Sequence, residues 1–441
     1  NIGGSVITSW NKNQNDSSLA AASGQMVDRW SFWRLASGAS QHVESDFAQT
    51  QKMSFAVRFN YSYKGKYLFT FSNRWDGVSQ FSAGHKWDSF PAGAIAWRIS
   101  DEPFMNVAKN WLNNLKLRVG YGITGNSGGV DAYGTTTQAY VYTGNGLTLN
   151  GQNSSFTQYT GTYGSKDLGW EKSYNWNVGL DYGILNNRVD GSIEWFKTTT
   201  KGLLFKRTLP ITSGLTGWGS PLSIWQNIAE TSNQGVEVTI NSHNIKTKDF
   251  SWTTSLNLSH NKNKIVKLAD LPEFIDGNYI RKEGCSYATI YLREYAGVDP
   301  NDGRPMYYDN KEDENGNRSR NIVYDPNDAD RVELKDIYPK LTGGLMNTFN
   351  YKFIDLSFNL SFHLGGYSYD GAMYALQDDG YTAQYNKSTE LRRRWKQPGD
   401  ITDVPRYVYG QEYGGWWNSS RGVHSTDHLR LKSLIVGVSA P

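Results

Sequence analysis

Aromatic residues in polar, glycine-rich segments are the side chains of this sequence best suited to bind a ligand. Trp416 and Trp417 form a doublet in "GGWWNSS", and the other candidates are Trp218, Trp225 and Tyr381. Aromatic faces stack on the C–H surface of a sugar ring or grip a peptide. Aromatic residues in loops also pack one loop against another, so both roles stay open. The Trp416–Trp417 doublet is the strongest candidate for contact with a substrate.

The acidic segments predict no metal site. Aligning "KEDENGNRSRNI" as a calcium loop on Gly316 puts Lys311 at the first ligand position and Ile322 at the last, where an acidic residue is required. A second acidic group is predicted to lie in a solvated loop: Asp325, Asp328 and Asp330. The sequence therefore predicts neither a metal ion nor another cofactor.

Motifs for catalysis are also absent. The 7 histidines are scattered, without HExxH or GxSxG, and the neighbours Asp378 and Asp379 do not define a facing pair of carboxylates. A single cysteine, Cys285, excludes an intrachain disulfide framework. The net charge of +3 gives no reason to expect a nucleic-acid partner. The sequence predicts a protein that is not an enzyme.

Strands with two different faces must position these residues. In "SFAVRFNYSYKGKYLFTFSNRW" (54–75), bulky apolar residues alternate with polar ones on both sides of a Lys-Gly-Lys turn, which predicts a β-hairpin. The same alternation recurs along the chain. Charged residues fall on the polar face of these strands and are predicted to line an interior or to contact a plug: Arg58, Arg74, Arg118, Asp181 and Glu237.

The apolar face is predicted to contact lipid. Aromatic residues make up 14% of the sequence, although its mean hydropathy is -0.60. No run of about 18 apolar residues predicts a transmembrane helix, but a transmembrane strand needs only about 9 to 11 residues of alternating character. Aromatic residues near both strand ends are typical of the girdles of a membrane barrel.

The connections support an up-and-down order. Short ones are predicted at 64–66, 185–188, 244–248 and 352–353; long ones are predicted at about 125–172, 199–233, 261–287 and 365–427. Short turns on one side and long loops on the other are typical of a transmembrane barrel. The segment "YAGVDPNDGRPMYY" (295–308) predicts one more strand pair, which brings the total to about 13 strands, with no helical domain.

Several segments resemble one family in their order along the chain. They are "RFNYSYKGKYLFTFSNRWDGVSQF", "FPAGAIAWRISDEPFM", "LKLRVGYGITGNSG", "NQGVEVTI", "AGVDPNDGRPMYYD", "YPKLTGGLMNTFNYKFIDLSFNLSFHLGG" and "HLRLKSLIVGVSAP". Together they resemble the barrel of the SusC/RagA-type TonB-dependent outer-membrane transporters of Bacteroidota, from about residue 50 to residue 441.

The resemblance implies an all-β, antiparallel, transmembrane β-barrel, of 22 strands in the family, of which residues 1–441 would be one partial domain. It implies a location in the outer membrane and contact with its lipid. It also implies energy-coupled import of glycan fragments or peptides, with a SusD-like lipoprotein as lid. The plug domain, TonB box and signal peptide are expected outside these 441 residues, so contact with TonB would be made through the missing plug.

Other functions stay open at this point. A passive porin or an adhesin would share the barrel wall but lack a plug. A membrane-barrel hydrolase would need a His, a Ser and an acid that converge, and no such set is evident in the sequence. A soluble all-β glycan-binding protein would bury its apolar faces in a core.

The last strand predicts an irregularity. In "HLRLKSLIVGVSAP", Leu429 and Leu431 share one parity, whereas Leu434, Val436 and Val438 share the other. One extra residue near Ser433, a β-bulge, would return all five side chains to one face. Because a free strand edge in lipid leaves backbone groups unsatisfied, further strands are expected to pair with this one in a longer protein.

Overall fold

The computed structural model describes residues 1–137, 139–149, 152–159, 162–214, 216–217, 220–268, 272–372, 374–381, 384–410 and 419–439. Strands dominate this part of the chain, as the alternation predicts. The helices are one short α-helix, Tyr374–Gln377, and 3₁₀ helices at Asp28–Ser37, Ile99–Asp101, Pro103–Ala108, Ile211–Ser213, Pro326–Asp328, Thr389–Arg393 and Ser420–Gly422. Within the described ranges, no helix has both the length and the apolar character needed to cross a membrane.

The strands before residue 269 include the longest of the structure. In chain order they are β1 (Ile2–Gln25), β2 (Gly38–Tyr63), β3 (Tyr67–Val78), β4 (Trp87–Arg98), β5 (Leu112–Asn126), β6 (Ala139–Leu149), β7 (Gln152–Tyr159), β8 (Thr162–Tyr163), β9 (Glu171–Ile184), β10 (Val189–Thr208), β11 (Thr216–Gly217), β12 (Ser220–Pro221), β13 (Ser223–Lys246) and β14 (Phe250–Leu268).

The strands after residue 272 are shorter. They are β15 (Glu273–Asp276), β16 (Tyr279–Lys282), β17 (Thr289–Arg293), β18 (Tyr295–Val298), β19 (Pro305–Tyr308), β20 (Ile322–Val323), β21 (Arg331–Asp336), β22 (Leu341–Tyr351), β23 (Ile354–Leu364), β24 (Tyr367–Tyr369), β25 (Val423–Ser425) and β26 (His428–Val438).

One large sheet contains 13 of the described strands. Its order is β1-β2-β3-β4-β5-β9-β10-β13-β14-β22-β23-β26, and the two-residue β8 lies parallel to β13. The β1–β2, β2–β3, β3–β4, β14–β22, β22–β23 and β23–β26 pairs are antiparallel. Apart from the small loop strands, each strand lies beside its neighbours in sequence, which confirms the predicted antiparallel, up-and-down order.

The β2–β3 hairpin shows how the two faces of the sheet differ. Its turn is at residues 64–66, as predicted, with Lys64 and Gly65 at positive φ. On the apolar face, Phe55, Phe59, Phe69 and Phe71 remain between 41% and 43% exposed. A water-soluble sandwich would pack such a row of rings into its core.

The first of two compact units comprises Asn1–Trp97, Val119–Trp176 and Thr199–Glu230. Its buried core lies at strand ends and in loops, where Trp170 packs edge-to-face on Phe81 with ring centroids 5.3 Å apart. The other core members are Val78, Phe90, Val130 and Leu168. The buried apolar side chains of this unit therefore stabilise the connections between its strands.

The second unit comprises Arg98–Arg118, Asn177–Thr198 and Thr231–Pro441. Between β14 and β22 it contains a four-stranded sheet, in the order β15-β16-β17-β21, whose Ile290 and Leu292 are fully buried. A three-stranded sheet, β18-β19-β20, is inserted between β17 and β21 of the same connection. This connection is a folded body with its own core.

Two of the predicted long loops are shorter than expected. β10 continues to Thr208 and β13 begins at Ser223, so the connection predicted at 199–233 is only 209–222. Gly202 has a φ of 64°, which interrupts the alternation along β10. β14 likewise continues to Leu268 through polar residues. Alternation cannot reveal a strand where both faces are polar.

Turn positions mostly match the predictions. The connections at 185–188 and 352–353 are confirmed, whereas the turn predicted at 244–248 lies at 247–249. The prediction of a strand pair at 295–308 is correct for the hairpin itself, but β18 and β19 do not belong to the large sheet. The large sheet nevertheless has 13 strands, because β1 and the two-residue β8 belong to it whereas β18 and β19 do not.

The last strand contains the predicted bulge. In the β23–β26 pair, Asn359 is opposite Ser433 and Leu360 is opposite Leu431, so Lys432 is the extra residue. Leu429 and Leu431 before the bulge, and Leu434 after it, are all more than half exposed. The change of parity in the sequence therefore returns these side chains to the same face.

Candidate functional site

An ion-pair cluster joins three strands on the polar face of the second unit. The guanidinium of Arg118 in β5 donates from Nη2 to Asp181 Oδ1 at 2.7 Å and to Glu194 Oε1 at 2.8 Å. Its Nε donates to both oxygens of Asp181, at 3.0 and 3.1 Å. Asn177 donates to Glu194 at 3.3 Å, and Lys116 lies 3.5 Å from Asp181. The structure thus brings together two of the predicted polar-face residues, Arg118 and Asp181.

A glycine provides the space for this cluster. A Cβ atom built on Gly179 would lie 2.9 Å from Arg118 Nη2 and 3.0 Å from its Cζ. The guanidinium therefore lies directly against the backbone of β9, between Asp181 on the same strand and Glu194 on β10. The sequence analysis missed Glu194, although the alternation of Ile193 and Trp195 around it marks it as a polar-face residue.

We expect the substitution Arg118→Met to destabilise the wall by about 1–2 kcal/mol. Two carboxylates, Asp181 and Glu194, would then share one site, and the effect is moderated by water because these side chains are about a quarter exposed. Thermal unfolding of the full-length protein measures this. Lys116→Met is the control, since Lys116 makes one long contact, and the additional change Asp181→Asn should recover stability. Equal loss in the Arg118 and Lys116 variants would contradict the role of Arg118.

Arg58 and Arg74 lie on the same face of the β2–β3 hairpin but make separate contacts. Arg74 donates to Asp76 at 2.7 Å and to Ser54 Oγ at 3.0 Å, and both partners are buried. Arg58 donates to Asn60 at 3.2 Å and is exposed. Arg74 is therefore fixed by its neighbours, whereas Arg58 is held by a single exposed hydrogen bond.

Glu237 is the remaining charged residue predicted on the polar face. It lies in β13, where its Oε1 accepts a hydrogen bond from Ser259 Oγ at 3.3 Å. Its side chain is exposed, and the structure does not place it in the Arg118 cluster. A role in lining an interior stays a prediction for all five charged residues.

Trp225 packs one loop against another. Its indole Nε1 donates to Asp131 Oδ2 at 3.2 Å, and Lys206 Nζ contacts the same oxygen at 3.1 Å. The ammonium of Lys206 also lies 5.9 Å from the centroid of the indole ring. The ring is partly buried against the core of the first unit. Trp225 thus contributes to ordering the loop, and contact with a substrate stays a prediction.

Tyr381 is the other described member of the predicted aromatic site. It lies in the connection at 365–427, here called the long loop, and its side chain is 50% exposed. Trp218, Trp416 and Trp417 lie outside the described residues. Tyr381 is therefore the described aromatic candidate with the larger accessible surface.

Two buried ion pairs anchor the long loop next to Tyr381. Arg421 Nη1 donates to both oxygens of Asp379, at 2.9 and 3.1 Å, and Lys387 Nζ donates to Asp378 Oδ1 at 2.8 Å. The side chains of Asp378, Asp379 and Arg421 are each less than a tenth exposed. The acidic doublet, which suggested no catalytic pair, instead has a structural role.

Burial sets the protonation behaviour of this anchor. It raises the pKa of Asp379, and the guanidinium of Arg421 offsets only part of that effect. Burial also raises the pKa of Tyr295, whose hydroxyl donates to the backbone carbonyl of Asp403 at 2.9 Å. The buried Asp379–Arg421 pair therefore joins two parts of the long loop, and the Tyr295 hydroxyl joins that loop to the β18–β19 hairpin.

The acidic segment at 325–330 contains a helix cap. Asp325 Oδ1 accepts the backbone N–H of Asn327 at 2.8 Å and caps the short 3₁₀ helix that follows. Across the part of the chain that the structure describes, no three His, Cys, Asp or Glu side chains are grouped so that they could hold a metal ion.

Comparisons with known proteins agree with this fold. A family model described as "TonB dependent receptor-like, beta-barrel" matches residues 6–399. TonB-dependent receptor P3 of Formosa agariphila is 32% identical, over 98% of this chain and 43% of the relative. TonB-dependent receptor SusC of Bacteroides thetaiotaomicron is 35% identical, over 88% of this chain and 38% of the relative. The chain thus spans about two-fifths of the length of these relatives.

A solved structure gives the same result. The RagAB peptide transporter matches 98% of this chain with a TM-score of 0.77 and 25% sequence identity, over 46% of its own chain. The chain belongs to the family of TonB-dependent receptor β-barrels of the bacterial outer membrane, is of SusC/RagA type, and is not an enzyme.

Proposed function

We propose that this chain forms part of the wall of a transporter that imports oligomeric nutrients, glycan fragments or peptides, across the outer membrane. The observation that carries the proposal is the match of nearly the whole chain to the RagAB peptide transporter. The two-faced sheet supports it, with exposed aromatic rings on one side and the Arg118 cluster on the other.

We further propose two protein partners. A SusD-like lipoprotein would cover the side of the long loops, and TonB would supply energy through a plug domain. Folded connections support the first partner, because the bodies at 273–336 and 365–427 have the buried anchors that a rigid docking surface needs. Family membership supports the second.

Uptake by whole cells tests energy coupling. Cells with the full-length protein should accumulate fluorescent oligosaccharides or oligopeptides, and loss of TonB should abolish that uptake at external concentrations near the Kd. Removal of the neighbouring lipoprotein should lower it. Uptake that persists without TonB would contradict the proposal and support a passive porin. Comparing neutral oligosaccharides with peptides in the same cells identifies the class of substrate.

The loop aromatics are proposed as substrate contacts: Trp416, Trp417, Trp218, Trp225 and Tyr381. We expect Tyr381→Ala to weaken substrate binding about 5- to 10-fold, because one stacking contact contributes about 1 kcal/mol. Titration calorimetry of the purified full-length complex measures this. Tyr351→Ala is a control, since Tyr351 is similarly exposed but lies at the turn at 352–353. If the wild type and the Tyr381→Ala variant bind the substrate with equal affinity, Tyr381 does not contact the substrate.

A further inference from the structure

Two histidines face each other where the long loop leaves and rejoins the large sheet. His363 in β23 and His428 in β26 are register partners, and their rings stack with centroids 4.7 Å apart and an interplanar angle of 27°. The long loop begins at Gly365, whose N–H donates to the carboxylate of Asp427. The two imidazoles therefore lie at the base of this loop, one on each strand.

Hydrogen bonding prepares one of these rings as a ligand. Nδ1 of His428 lies 2.8 Å from the carbonyl oxygen of Thr426. Because a carbonyl oxygen only accepts hydrogen bonds, Nδ1 carries the proton of the neutral ring, and Nε2 carries the lone pair. A backbone carbonyl bonded to one ring nitrogen is the usual support for a histidine that binds metal through the other nitrogen.

The second ring is accessible. His363 is exposed, and among the described residues its ring nitrogens have no hydrogen-bond partner. The exposure of His363 itself leaves its ring open to water. Two metal–nitrogen bonds of about 2.1 Å reach across about 4.2 Å. Because an ion binds in the plane of an imidazole and the two rings are nearly parallel, the exposed ring of His363 must turn out of the stack for both nitrogens to contact one ion.

We propose that His363 and His428 together bind a divalent transition-metal ion. Imidazole nitrogen favours Cu²⁺, Ni²⁺ and Zn²⁺ over the hard cations Ca²⁺ and Mg²⁺, which prefer oxygen. No third His, Cys, Asp or Glu joins the pair within the described ranges, so water completes the coordination and exchanges readily. Since the two ligands belong to the two strands that flank the long loop, a bound ion links the two ends of that loop.

Metal titration of the full-length protein tests this site. The protein must lack a polyhistidine tag, because a tag would bind the same ions. We expect Ni²⁺ and Zn²⁺ to bind with micromolar affinity and Ca²⁺ to give no competition. His363→Gln and His428→Gln should each weaken binding at least tenfold. His424→Gln is the matched control, because His424 lies in β25 within the long loop and outside the stacked pair.

The electron paramagnetic resonance spectrum of bound Cu²⁺ gives an independent readout that needs no variant. Hyperfine coupling of the copper electron spin to two imidazole nitrogens supports the site. Coupling to one nitrogen or to none overturns the proposal. Thermal unfolding without metal shows whether each variant remains folded. If a variant does not fold, the Cu²⁺ spectrum of the wild type still tests the proposal. Unchanged affinity in the folded double variant His363→Gln/His428→Gln would also overturn the proposal, and the stacked pair would then be a packing contact only.

Discussion

Replacing Arg421 by methionine will expose the long loop to proteolysis while the large sheet stays folded. Arg421 and Asp379 form a bidentate ion pair in which both side chains are less than a tenth exposed. Removing one partner of a buried pair leaves an uncompensated charge and costs about 3–5 kcal/mol. Cleavage sites of added protease, mapped by mass spectrometry on the full-length protein, should move into 365–427 in the variant.

Arg393 provides a matched control within the same loop. It contacts Asp403 at 2.6 Å and Glu390 at 3.4 Å, but all three side chains are more than half exposed. We expect Arg393→Met to change stability by less than about 1 kcal/mol, as for other exposed pairs. The double change Arg421→Met/Asp379→Leu should regain much of the protection, because no charge remains buried. Equal cleavage of wild type and Arg421→Met would show that the pair does not anchor the loop.

The pH dependence of the Arg421→Met variant provides a second readout. Burial already raises the pKa of Asp379, and loss of Arg421 removes the cation that opposes this effect. The folded loop then holds its proton more tightly than an unfolded chain, in which the pKa is about 3.9. Stability of the loop therefore falls as the pH rises from about 4 through the folded-state pKa. We expect better protection at pH 5 than at pH 8; equal protection at both would contradict this mechanism.

Alternation predicted strands correctly where one face is apolar and the other is polar. The β2–β3 turn at 64–66 and the bulge in β26 both follow from parity, because successive side chains of a strand point to opposite faces. β1 and the first half of β2 escaped prediction because residues 11–18, "NKNQNDSS", are polar on both faces. The same reason explains why β14 extends beyond its predicted end.

The contacts at the candidate site needed the three-dimensional pairing of distant residues. Arg118 and Asp181 were each assigned to the polar face, but their hydrogen bonds depend on which positions of β5 and β9 lie opposite each other. The Asp379–Arg421 pair joins residues 42 positions apart in a connection without alternation. Composition therefore identified the type of surface, whereas the partners of each charge depend on register and loop packing.

Replacing Gly191 by alanine should disrupt the wall where β10 approaches β13. A Cβ atom on Gly191 would overlap the carbonyl oxygen of Thr239 and lie 2.9 Å from the hydroxyl of Tyr182. Tyr182 also donates to that carbonyl oxygen at 3.4 Å, so neither neighbour can move without loss of a hydrogen bond. Overpacking against backbone typically costs about 1–3 kcal/mol, and we expect the upper end of that range here.

Gly344→Ala is the matched control for this prediction, because Gly344 also lies in a strand of the large sheet but has room for a side chain. The nearest atom to a Cβ at position 344 is the carbonyl oxygen of Leu360, at 3.5 Å, which is an ordinary contact. Its replacement should leave the unfolding temperature of the full-length protein nearly unchanged, while Gly191→Ala lowers that temperature and the yield of folded protein. If both variants unfold at the wild-type temperature, the close approach at Gly191 does not limit the fold. If both variants unfold below the wild-type temperature, the loss of stability is a general effect of replacing glycine in a strand. Only a selective effect at position 191 identifies the backbone contact as its cause.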